Sequence, residues 1–137
     1  MSFIQNSHQK LKGFTVLVVE DNELNQLVAK GLLEYGGAAV AIANHGKEAL
    51  DMLCKQSFDC VLMDIQMPVM DGLEATQMIR ANPQWTNMPV IAVTANADQN
   101  HRDLCRNAGM NDFLAKPIDP DLLVGMLLKW LAPKQGV

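Results

Sequence analysis

Glycine-rich phosphate loops, long apolar runs, blocks of like charge and paired cysteines are all missing from this 137-residue chain. With no GxGxxG and no Walker lysine motif, neither a dinucleotide nor a P-loop nucleotide has its usual cradle of backbone N–H groups. No apolar stretch approaches the roughly 18 residues of a membrane span, and the opening "MSFIQNSHQKLKG" lacks a signal-peptide core. The segment is therefore expected to be cytoplasmic and to make no membrane contact. A formal charge of -4 without a Lys/Arg run offers no footprint for direct nucleic-acid binding. Cys54, Cys60 and Cys105 are an odd number at spacings that match no zinc or redox motif, which reads as reduced, buried thiols. No Ser or Cys follows a strand-like run with a plausible His base, which argues against acyl-transfer hydrolysis.

What is present is a repeated alternation. "TVLVV" (15–19), "AAVAIA" (38–43), "CVLM" (60–63), "VIAVTA" (90–95) and "DFLA" (112–115) are short apolar runs, most without a period of two. Strands buried on both faces look like this, and helical patterns separate them, as a parallel sheet requires. The first helix carries Leu24, Leu27, Val28, Leu32 and Tyr35 near a period of 3.6 and stops at Gly36-Gly37. The second covers about Gly46 to Lys55, with Ala49, Leu50 and Leu53 facing in. The third follows Gly72 and ends at Asn82-Pro83. The fourth, near Gln99 to Ala108, has only Leu104, Cys105 and Ala108 as apolar anchors. The fifth begins at Asp119 as N-cap with Pro120 in its first turn. Its many apolar residues exceed one narrow stripe, so it reads either as a docking face for another protein or as a broad contact with the core. One domain over residues 13–132 follows, with a polar tail or linker at 1–12 and a C-terminal tail at 133–137. The class is α/β, a three-layer sandwich.

In an open parallel sheet the site lies at the carboxyl ends of the strands, near the point where strand order reverses. Strand one ends in Glu20-Asp21, strand three in Asp64, strand four in Thr94 and strand five in Lys116. If the three acids are to meet, strands one and three are neighbours, and the order is 2-1-3-4-5. Two unit charges about 4 Å apart repel by roughly 4 kcal/mol at an effective dielectric near 20, and Lys116 alone cannot balance three negatives. A divalent cation can, and an all-oxygen set suits Mg²⁺. The loop after strand one, "EDNELN", repels anions and attracts metal. His8, His45 and His101 read as solvated.

These residues closely resemble the receiver domain of two-component response regulators, through "VLVVEDNELNQLVA", "VLMDIQMPVMDGLEAT", "VIAVTANA" and "DFLAKPI" in that order, over about residues 14 to 131. The wording is most similar to receivers of hybrid sensor histidine kinases. The resemblance implies a flavodoxin-like fold and a phosphorelay module. Asp64 would accept a phosphoryl group from a phosphohistidine and become a 4-aspartylphosphate. Asp21, Glu20, Asp64 and the backbone carbonyl of Gln66 would hold Mg²⁺. Lys116 and Thr94 would each contact a phosphoryl oxygen, Ala95 would leave the approach open, and the Lys116-Pro117 bond would be cis. Thr94 and Phe113 would form the switch that alters the face of the fourth helix, fifth strand and fifth helix. Gln66 and Asn96 would tune hydrolysis, and Asp71 would serve a mainly structural role. Such a module catalyses its own phosphorylation and dephosphorylation, with kinase activity only inside a larger hybrid histidine kinase. Its partners would be a histidine kinase dimerisation domain or a histidine phosphotransfer domain, with weak self-association through the fourth and fifth helices. Two other readings stand: a Mg²⁺-dependent phosphohydrolase, and a pseudo-receiver that binds proteins without phosphorylation. Gln66, where a haloacid-dehalogenase-type phosphatase needs a second Asp, argues against the first. The complete set of Glu20, Asp21, Asp64, Thr94 and Lys116 argues against the second.

Overall fold

The structure is a computed structural model that describes residues 10–96 and 98–131. Five strands, β1 (Thr15–Val19), β2 (Ala39–Ala43), β3 (Cys60–Asp64), β4 (Val90–Thr94) and β5 (Asp112–Ala115), alternate with five helices. The helices are α1 (Glu23–Tyr35), α2 (Gly46–Lys55), α3 (Gly72–Ala81), α4 (Gln99–Ala108) and α5 (Pro120–Trp130), with a 3₁₀ turn at Pro83–Trp85. All strand pairs are parallel, in the order β2-β1-β3-β4-β5. The fold is the flavodoxin-like sandwich that converging carboxylates demand.

Every residue of β3 and β4 is buried, which is why neither strand alternates in sequence. Their side chains divide between two cores. Val16, Val18, Leu62 and Ile91 meet α1 and α5 through Ala29, Leu33, Leu123 and Leu127 on one face. Leu17, Val61, Met63 and Ala92 meet α2, α3 and α4 through Leu53, Ile79 and Cys105 on the other. Each helix starts just past a strand end with a side-chain cap: Asn22, His45, Asp71, Asp98 and Asp119 each accept from an N–H of the first turn. These caps fix the loops that carry the polar strand-end residues.

Several sequence expectations are corrected. Of the stripe expected on α1, Leu24, Leu27, Val28 and Tyr35 are exposed and Leu32 alone packs against the core, beside the buried pair Ala29 and Leu33. Leu11, assigned to the tail, is fully buried, and its N–H donates to the Gly36 carbonyl. His45 and His101 are half-buried and partnered rather than solvated: His45 Nδ1 caps α2, and His101 Nδ1 lies 2.8 Å from Asp98 Oδ1. Cys60 and Cys105 are buried, but Cys54 is exposed. His8 and the 133–137 tail lie outside the described residues. No helix among the described residues is long and apolar enough to cross a membrane.

Candidate functional site

The carboxyl edge of the sheet collects charge where β1 and β3 lie side by side, at the reversal of strand order. Glu20 follows β1 and Asp64 closes β3, and both are buried. Exposed Asp21 adds a third carboxylate, and one oxygen from each of the three lies within 4.8 Å of the others. From the far side of the sheet Lys116 reaches in, its Nζ 2.9 Å from Glu20 Oε1 and 3.3 Å from Asp64 Oδ2. The Lys116–Pro117 peptide that precedes α5 is cis.

The two buried acids differ in environment. Burial pushes Glu20 up, but the Lys116 ammonium and the Asn22 N–H, 3.1 Å from Oε2, outweigh it and hold the carboxyl below its ordinary value. Asp64 has weaker help, from Lys116 at the longer distance and the Gln66 N–H at 3.4 Å. Burial, then the Glu20 charge, pushes it up to about 6. Burial pulls Lys116 down, yet its bond to Glu20 and the charges of Asp64 and Glu20 raise it, so the ammonium is firmly charged. One cation therefore serves three carboxylates, and Asp64 carries the residual strain. Three carboxylates against one ammonium leave two negative charges over, which a hard divalent cation held by their oxygens would neutralise. The absence of His and Cys from the cage leaves nothing to favour zinc.

Thr94 ends β4 one position beyond the residue paired with Asp64. Its hydroxyl is engaged with its own loop, donating to the Asn96 carbonyl at 3.1 Å and accepting from the Asn96 N–H at 3.0 Å. Asn96 and Ala95 are exposed at the rim, as is Gln66. Asp71 caps α3, its Oδ1 2.9 Å from the Glu74 N–H. Gly72 is required by close approach: a Cβ there would overlap the Asp64 carbonyl. Phe113 is half-buried on the α4 side of the sheet, and the Arg102 guanidinium stands over its ring, 4.6 Å from the centroid. Sequence reasoning missed Arg102 and also Gln26, whose side-chain amide donates to the Glu20 carbonyl at 2.6 Å. A polar residue on a helix gives no sign of such a role until the strand end beside it is known.

The family model for the response regulator receiver domain matches residues 16–128. The chain belongs to that family. It is 42% identical over 118 residues to the sensor protein GacS of Pseudomonas syringae pv. syringae, an alignment that spans 84% of this receiver and 13% of that protein. Among solved structures, it is 42% identical to the receiver domain of the sensor histidine kinase PA1611 from Pseudomonas aeruginosa, with a TM-score of 0.81, covering 86% of this chain and 97% of that one. That neighbour was crystallised with a magnesium ion coordinated in its active-site cleft. The receiver domain of Ssk1 from Saccharomyces cerevisiae, solved with the histidine phosphotransfer protein Ypd1, is 27% identical with a TM-score of 0.81, over 88% of this chain and 90% of the neighbour. The receiver is thus a phosphorelay signalling domain whose curated relatives are parts of much longer sensor kinases.

Proposed function

We propose that Asp64 is the phosphoacceptor of this receiver, that Glu20, Asp21, Asp64 and the Gln66 backbone carbonyl hold Mg²⁺, and that the phosphoryl donor is a phosphohistidine on a helical partner. The observation that carries the reading is the bridge from Lys116 Nζ to both Glu20 and Asp64 within the three-carboxylate cage. The divalent ion supplies charge neutralisation for the phosphoryl oxygens and the acids around them. An Asp64 carboxylate oxygen attacks phosphorus in line with the P–N bond. As the P–O bond forms, the P–N electron pair returns to the ring nitrogen and leaves neutral imidazole. Lys116 turns from Glu20 and Asp64 toward a phosphoryl oxygen. Thr94 gives up its donation to the Asn96 carbonyl and donates to another.

That last exchange is the switch. Thr94 moving inward vacates space that the Phe113 ring can take, which removes the surface under Arg102 on α4. Phe113 has no hydroxyl, so the signal is steric. Gln66 and Asn96 stand at the rim where an attacking water must pass, which supports a role in setting the lifetime of the phosphoryl group.

For the partner, a histidine phosphotransfer domain or a kinase dimerisation domain, the outward face of α1 is the better platform. Leu24, Leu27 and Val28 are exposed there, and Val28 also borders a cavity of about 120 Å³ that runs past Pro117 and Ile118 to Glu20 and Lys116. Apolar surface continuous with the reacting groups suits a helix that presents a phosphohistidine. Leu104 on α4 and Leu122 and Leu128 on α5 are scattered exposures that support only weak self-association. The domain is proposed to cover residues 13–132, with Leu11 packed into its core, and to work on the cytoplasmic side as part of a sensor kinase.

The test is labelling with a small-molecule phosphodonor in Mg²⁺. Acid-stable, base-labile label on wild type and none on Asp64→Asn is the expected result. Sustained turnover of a phosphate ester would instead show a phosphohydrolase, and no label under any donor a pseudo-receiver.

A further inference from the structure

Gln26 lies in the first half of α1, half-buried beside the acid pair. Its Nε2 donates to the Glu20 backbone carbonyl at 2.6 Å and to Asn44 Oδ1 at 2.8 Å. Asn44 in turn donates to Glu48 Oε1 from its backbone N–H at 2.5 Å and from Nδ2 at 2.9 Å. Both ends of this chain are groups that only accept, a peptide carbonyl and a carboxylate. The amide orientations of Gln26 and Asn44 are therefore fixed by chemistry: any flip would set oxygen against oxygen.

The Glu20 residue is held on its other side as well, since its N–H donates to the Ala43 carbonyl of β2 at 3.0 Å. The carbonyl that Gln26 grips belongs to the planar peptide whose nitrogen is that of Asp21. A bond to that oxygen sets the rotation of the plane, and with it the direction in which the next Cα throws its carboxylate. Asp21 is exposed and sits on a loop of two residues between β1 and the α1 cap, where packing does not fix it.

We propose that Gln26 is a positioning residue for the cation site: through the Glu20 carbonyl it aims Asp21 and Glu20 into a common cage, and it transmits to that cage the position of the loop between β2 and α2. This rests on the reading of the acids as a Mg²⁺ site. Because Gln26 rides on α1 between Leu24 and Leu27, the helix offered to the partner and the metal cage share one rigid link.

The experiment is a calorimetric Mg²⁺ titration of wild type, Gln26→Met and Asn44→Ala, with melting of each protein in EDTA and phosphodonor labelling at saturating Mg²⁺. Gln26→Met keeps the length and loses the donor. It is expected to weaken Mg²⁺ binding about tenfold, the usual scale for a group that orients a ligand. Labelling at saturating Mg²⁺ should stay within about twofold of wild type, since a positioning loss is recovered by mass action. Asn44→Ala frees the far anchor and should weaken binding in the same direction by less. A Gln26→Met protein that melts lower in EDTA but binds Mg²⁺ like wild type, or an Asn44→Ala protein that binds more tightly, would overturn the proposal. Wild type that neither binds Mg²⁺ nor takes label would sink the site reading itself, which keeps the two failures apart.

Discussion

Asp64 is a carboxylate placed where ionisation is opposed. Its folded value, about 6, stands above the ordinary 3.8 because burial and Glu20 oppose ionisation more strongly than Lys116 favours it. A raised value means that the metal-free fold binds the proton more tightly than the unfolded chain does. The resulting stabilisation is complete below the unfolded value near 3.8 and is lost as pH rises through about 6. Metal-free protein should therefore lose stability between about pH 4 and pH 7 through this group, and Asp64→Asn should remove that dependence. At pH 7.5 in EDTA, Asp64→Asn is expected to melt higher than wild type while taking no label. A lower melting temperature would show that the charge is better solvated than its burial indicates. Val69 stores a different strain. It is exposed, non-glycine, and at φ 67°, at the centre of a tight turn closed by the Met70 N–H on the Pro68 carbonyl at 2.7 Å. A β-branched residue there costs about 1–3 kcal/mol, of which glycine would return the larger part against its own entropy of roughly 0.5–1 kcal/mol. Val69→Gly should stabilise the protein by about 1 kcal/mol in urea titration. The structural role of Asp71 in the loop after Asp64 was legible, but a valine at positive φ was not, because neither its type nor its neighbours announce it.

Among the elements, α4 is held unevenly. Its core contribution is Cys105 and Ala108, toward its C-terminal end, and that end is clamped from α3: Arg80 Nε donates to the Gly109 carbonyl at 2.8 Å, and its Nη2 to Asn111 Oδ1 at 2.7 Å. Leu104, near the middle of the helix, is exposed, and the Arg102–Phe113 stack joins the N-terminal half to β5. Motion of α4 is thus expected to pivot about the Gly109 end. Arg102→Ala removes a contact worth about 0.5–1 kcal/mol at a site of this exposure. It should speed amide exchange several-fold over residues 102–105 and leave the Gly109–Asn111 region unchanged, whereas Arg80→Met should do the reverse. Equal loosening at both ends in either variant would contradict the pivot. The sequence placed every helix, since caps and glycines punctuate them, and it marked α4 as weakly anchored. It misjudged which side of α1 is buried. Two stripes satisfy the helical period there, one large and apolar at Leu24, Leu27 and Val28, the other smaller at Ala29 and Leu33. Periodicity finds a face but not its occupant: the helix lies close on the sheet through Ala29, with Leu32 and Leu33 beside it, and turns Leu24 and Leu27 outward.

At the scale of the whole molecule, one edge of the sheet carries the function and the rest of the fold keeps that edge rigid. Order 2-1-3-4-5 was legible because three carboxylates had to share one crevice, a constraint that does not depend on any single strand. The division of the core into two layers needed only the buried runs. Not legible were the hydrogen bonds of Thr94 to its own loop and of Gln26 to the strand end, since both join atoms across turns whose geometry no residue pattern prints. The uncompensated charge at the edge makes the fold's stability depend on what fills it. A ligand that binds the folded cage and not the unfolded chain adds about 2.7 kcal/mol at a hundredfold excess over its Kd, or roughly 10 °C in a domain of this size. Saturating Mg²⁺ at pH 7.5 should raise Tm by that order. The rise should shrink as pH falls below about 6, where protonated Asp64 no longer offers a charged oxygen. It should also shrink in Asp64→Asn and in Asp21→Asn, but not in Arg102→Ala, whose side chain lies away from the cage. Ca²⁺, larger and content with looser geometry, should stabilise less if the three oxygens close tightly. A Tm indifferent to Mg²⁺ across this pH range would mean that Lys116 alone balances the acids, and that the edge is a salt-bridge cluster rather than a cation site.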